Sequence, residues 1–140
     1  NRCVALIYKS THMFPTISIP QLHLEYQLWI NELNFYKEEI NLFEKYLEGI
    51  ITINANKEAA VGVEHFQNQF ILQKEVIDHL KHDLRVSEKQ LAGFVKELSG
   101  TGLESIKMDN HTKLRERMST YRKLYKELKQ EFRQFEAEWF

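Results

Sequence analysis

The sequence predicts an all-α fold, an elongated up-down-up antiparallel three-helix bundle of coiled-coil character. Three observations carry that prediction. Both prolines, Pro15 and Pro20, fall in the first twenty of 140 residues, so the remainder holds no strong helix breaker. Beyond residue 18, apolar residues recur at alternating intervals of four and three in three successive runs. The two intervals that break this period are rich in Asn, Gly, Ser and Thr, which cap helices and reverse the chain.

Residues 1–17 lack the helical period and read as an extended N-terminal arm. An apolar patch from Cys3 to Tyr8 suits a short strand or an extended segment, and Met13 offers itself as a natural start. Ser18 with Gln21 then forms a capping box, with Pro20 in a first turn that needs no donor. The first helix is expected over about 18–52. Its seam comprises Leu22, Tyr26, Trp29, Leu33, Tyr36, Ile40, Phe43, Leu47 and Ile50.

Asn54 and Asn56 interrupt the period and supply candidate caps, so a second helix is expected over about 57–99. Its seam runs Ala59, Val63, Phe66, Phe70, Gln73, Ile77, Leu80, Leu84, Ser87, Leu91, Phe94 and Leu98. Gln73 and Ser87 are the polar members; they either fix register or mark a layer opened to water. Gly100 and Gly102 with the Thr101–Glu104 capping box form the clearest turn and open a third helix, about 103–139. Its seam holds Leu114, Met118, Tyr121, Tyr125, Leu128, Phe132, Phe135 and Trp139. Before Leu114 the phase slips, which predicts a kink or a fresh helix start at Asp109–Thr112. His111 is there read as a flank or kink residue.

Charges flanking the seams give a topology. Glu25, Glu32 and Glu39 recur every seven residues on one flank of the first helix; Arg115, Arg122 and Lys129 do so on the third. Such flanks meet when the two helices run parallel, as an up-down-up bundle requires. The expected pairs are Glu25 with Arg115, Glu32 with Arg122 and Glu39 with Lys129.

Composition bounds function. A net charge of −1 gives no global attraction to nucleic acid or anionic membrane. No apolar run approaches the ~20 residues that span a bilayer, and a single cysteine, Cys3, fits a reducing, cytoplasmic location. No nucleophile motif or phosphate-binding loop occurs, so enzymatic activity and cofactors are not expected.

Two weaker clusters remain. Glu75, Asp78, His79, His82 and Asp83 share residue types with zinc and iron sites, making His79, His82 and Asp83 candidate ligands. In the heptad frame, however, both histidines and Glu75 point to solvent. No Glu-x-x-His occurs, whereas di-metal bundles aim that motif inward. Thr112–Lys129 is basic; after the helix-one pairs are subtracted, Arg117, Lys123 and Lys126 are left as candidates for phosphate or nucleic acid. Ile30, Phe35, Leu42, Ile71 and Leu72 are apolar but off the seams. They are candidate interface residues for a protein partner or a homo-oligomer.

The helix spacing and Trp29 on the first seam resemble the architecture of a spectrin repeat over about 18–140. That resemblance implies a spacer and docking module, but it assigns no family. The expected function is a non-enzymatic scaffold or adaptor; the alternatives are a phosphate- or nucleic-acid-binding bundle and a metal-binding bundle.

Overall fold

The computed structural model describes residues 19–53, 55–97 and 102–140, with side chains outside 94–109. Three helices occupy it: α1 (Ile19–Ile53), α2 (Lys57–Glu97) and α3 (Gly102–Trp139). The arm at 1–17, the Ser18 cap, the Asn54 cap, the turn at 98–101 and the Leu98 seam position lie outside the described residues, as does the side chain of the Phe94 seam position. Helices of 35, 41 and 38 residues extend about 50 to 60 Å at 1.5 Å per residue.

The α1–α2 turn is closed by Asn56. Its side-chain Oδ1 accepts the Glu58 backbone N–H at 2.8 Å, and its carbonyl accepts the Ala60 N–H at 3.1 Å. That is N-cap geometry, satisfying donors that the first helical turn would leave unpaired.

Helix directions follow from cross-helix contacts. His23, Lys37 and Glu44 of α1 meet Glu88, Asp78 and Lys74 of α2, in descending order, so α1 and α2 are antiparallel. Glu25, Glu32 and Glu39 meet Arg115, Arg122 and Lys129 in ascending order, so α1 and α3 are parallel. All three expected pairs form.

The seams become the core. Leu33, Ile40, Leu47, Phe70, Leu84, Met118 and Phe132 are among its fully buried members. Truncating any one of the leucines or isoleucines to alanine would cost about 2 to 5 kcal/mol. Tyr36, Phe135 and Trp139 pack against the core while keeping partial exposure. Aromatic rings stack in layers along the rod. Tyr26 and Trp29 form one layer, Tyr36, Tyr121 and Tyr125 a second, and Phe43, Phe66, Phe70 and Phe132 a third.

Three expectations are corrected. Ile30 is 7% exposed and belongs to the core, because its flank of α1 is covered by α2. Helix α3 runs unbroken through Asp109–Thr112, so no fresh helix starts there. His111 is 1% exposed and is a core residue rather than a flank.

Candidate interaction surfaces

The polar seam between α1 and α3 links charges to buried rings. Glu32 accepts Arg122 Nε at 2.8 Å and the Tyr36 hydroxyl at 2.9 Å through the same oxygen. Glu39 takes Lys129 Nζ at 2.8 Å and the Tyr125 hydroxyl. Burial, together with its hydrogen bond to Glu32, pushes the Tyr36 phenol up to about 12. Burial raises Tyr125 further still, with the Glu39 carboxylate adding to it. Both phenols therefore stay neutral across physiological pH.

At the far end of this seam, Glu25 bridges Arg115 at 3.0 Å and His111 Nε2 at 3.0 Å. The imidazole stacks on Trp29 and leans on Tyr26. Burial lowers its basicity; Glu25 opposes that shift and Arg115 reinforces it. His111 Nδ1 has no hydrogen-bond partner among the described residues. His111 Nε2 lies 3.0 Å from both Glu25 Oε2 and Arg115 Nη2, so the tautomer decides whether it donates to the carboxylate or accepts from the guanidinium. Next to it Asn110 Nδ2 donates to Ser87 Oγ, so the polar seam residue Ser87 ties α2 to α3. Gln73 Oε1 is buried without a partner among the described residues.

The metal candidates do not converge. His79 and His82 are exposed, and Asp83 is held by Arg117 at 2.7 Å. Asp78 is held by Lys37 at 2.7 Å, and that hydrogen bond keeps its carboxyl below the usual range. Among the described residues no group of three or more His, Cys, Asp or Glu is placed to hold a metal ion. The basic candidates are also divided: the Asp83 pair engages Arg117, while Lys123 and Lys126 are exposed. No described helix is long and apolar enough to cross a membrane.

Known proteins add no constraint. The chain matches no family model, no curated protein and no solved structure. The spectrin-like spacing thus stands as architecture alone.

What the surface does offer is apolar. Phe35 and Leu42, expected as interface residues, are 56% and 50% exposed on α1. Leu24, Leu28 and Tyr46 join them on that face, at 57%, 57% and 41%. Sequence reading missed these three, although their spacing from Phe35 was available to find them. Ile71 and Leu72 are half exposed on α2. Adjacent in sequence, they point about 100° apart and do not make one surface. A groove of about 530 Å³ between α2 and α3 is lined by Val76, Leu80, Tyr121 and Leu124 among others. Another, of about 600 Å³, lies between Ile19, Pro20 and Leu91.

Proposed function

We propose that this chain is a non-enzymatic helical scaffold that acts through protein contacts on the outer face of α1. The observation that supports it is the alignment of Leu24, Leu28, Phe35, Leu42 and Tyr46 on one helix face, each at least two-fifths exposed. Scattered exposed apolar residues are ordinary, whereas an aligned stripe costs solubility unless something covers it. The charged groups lend less support to other readings. Arg117 and Asp83 neutralise each other, as do Lys37 and Asp78, so one of the basic candidates and one of the metal candidates are already engaged.

The test compares the full chain with a Leu28→Ser, Phe35→Ser, Leu42→Ser variant. Each is incubated with clarified cell extract, cross-linked in place and sized by sedimentation. The reading expects protein mass on the parent chain that the variant loses at unchanged helicity by circular dichroism. Equal association by both removes the α1 face from this role, and salt-dependent retention of nucleic acid by both would favour the basic residues instead.

A further inference from the structure

Five of the exposed apolar residues of α1 are arranged symmetrically about Phe35, while Ile53 extends the same face and Ile19 and Ile51 lie on the opposite one. Leu28 and Leu42 stand seven residues to either side of it, and Leu24 and Tyr46 stand eleven. At about 100° per residue, both offsets return to within about 20° of Phe35, so the five side chains form one straight stripe roughly 33 Å long. A helix docking an unrelated partner has no need of a stripe that reads the same in both directions. A two-fold interface does, because residue i must meet j while j meets i.

Resting on the reading of α1 as the contact face, we propose that the occupant is a second copy of this chain, with the two α1 helices antiparallel and Phe35 on the dyad. Phe35 meets its own counterpart, Leu28 meets the second copy's Leu42, and Leu24 lies across from the second copy's Tyr46. A parallel pair would match any stripe with itself and gives no reason for the symmetry about Phe35.

Size and charge agree with this occupant. Five large side chains near half exposure present roughly 500 Å² per copy, at the upper end for a patch on a monomer. Flanking polar residues bring that toward the ~800 Å² per partner of a stable interface. On one edge, the antiparallel register sets Asn31 beside the second copy's Glu38, an amide donor facing a carboxylate. On the other edge Glu39 approaches the second copy's Glu32, and each already carries a cation, Lys129 and Arg122, at 2.8 Å. That edge is a ladder of alternating charge rather than a pair of bare carboxylates.

The experiment uses the full chain in a Cys3→Ser background with single cysteines at the stripe and a short bis-maleimide linker. Phe35→Cys is expected to link to itself. Leu28→Cys and Leu42→Cys are expected to link when mixed and neither alone. Efficient self-linking at both Leu28→Cys and Leu42→Cys would overturn the antiparallel register. Light scattering of the unmodified chain should give twice 16.8 kDa, and Phe35→Glu should weaken self-association about tenfold or more at unchanged helicity. A mass of 16.8 kDa at every concentration up to the solubility limit overturns the dimer. If that monomer still loses extract proteins on Phe35→Glu, the α1 contact face survives without the dimer; if its associations are indifferent to the change, both fall.

Discussion

His111 and Trp29 lie almost parallel, with ring centroids 5.4 Å apart and planes 15° apart. The imidazole is thus packed as an aromatic core residue, while Nε2 keeps Glu25 at 3.0 Å. A ring so placed resists protonation, since charging it means holding an imidazolium away from water.

The pH dependence of stability follows with a definite sign. Burial sets the folded pKa of His111 below its ordinary 6.5. The unfolded chain therefore binds this proton first, and stability is full above about pH 6.5 and declines as pH falls from there through the folded value. His111→Phe keeps a ring on Trp29 but cannot titrate. Urea midpoints measured between about pH 5 and pH 7.5 should show a shallower slope for the variant than for the parent. Identical slopes would mean that His111 takes no part in the acid loss.

Two neighbouring tyrosines should respond oppositely to loss of the hydroxyl. Tyr125 donates to the Glu39 carboxylate, whereas the Tyr121 hydroxyl is buried with no hydrogen-bond partner among the described residues. Tyr125→Phe should destabilise by about 1 to 2 kcal/mol, because a charged acceptor loses its donor. Tyr121→Phe should be neutral or stabilising, since it removes an unsatisfied group. Chemical denaturation of both variants checks the contrast; equal losses would contradict the assignment.

The α1–α3 pairing can be read by a double-mutant cycle on Glu32 and Arg122. The Arg122 side chain is 41% exposed, so solvent screening limits the coupling to about 0.5 kcal/mol despite the 2.8 Å contact. That coupling should fall when salt is raised from about 0.05 M to 1 M, as the Debye length contracts to roughly 3 Å. The cycle must leave Tyr36 in place, because its hydroxyl shares the Glu32 oxygen. A coupling indistinguishable from zero at low salt would show that the pair does not help orient α3 on α1.

Heptad spacing made the fold legible, because it states both which residues are buried and which flanks must meet. Glu25, Glu32 and Glu39 could be matched to Arg115, Arg122 and Lys129 for that reason. Ile30 escapes a frame that treats a single seam of alternating four- and three-residue steps as the whole buried surface of the first helix. In this bundle α1 has two neighbours, and α2 covers the flank that carries Ile30, Lys37 and Glu44. His111 falls on the extrapolated α3 seam, seven residues before Met118, and reads as a flank or kink residue because the period is interrupted there and the side chain is polar. The α1 stripe was half legible: Phe35 and Leu42 stand out as off-seam apolar residues, but Leu24, Leu28 and Tyr46 gain meaning only once α1 is known to leave that face uncovered.

Two glycines of α2 should answer the same substitution with opposite signs. A Cβ added at Gly62 would lie 2.3 Å from Phe135 Cε2, whereas nothing lies within 4 Å of one added at Gly93. The Phe135 ring packs on Phe66, 5.1 Å away between centroids, so it moves aside only by giving up that contact. Gly62→Ala should therefore cost about 1 to 3 kcal/mol of overpacking, which outweighs the ~1 kcal/mol that alanine contributes in a helix. Gly93→Ala meets open space and should gain close to that full increment. Thermal midpoints should shift down and up respectively, by roughly 2 to 4 °C per kcal/mol for a chain of this length. Restoring stability to Gly62→Ala by adding Phe135→Leu would tie the loss to that ring. A Gly62→Ala variant as stable as Gly93→Ala would show instead that α2 and α3 are not packed closely enough there for the glycine to matter.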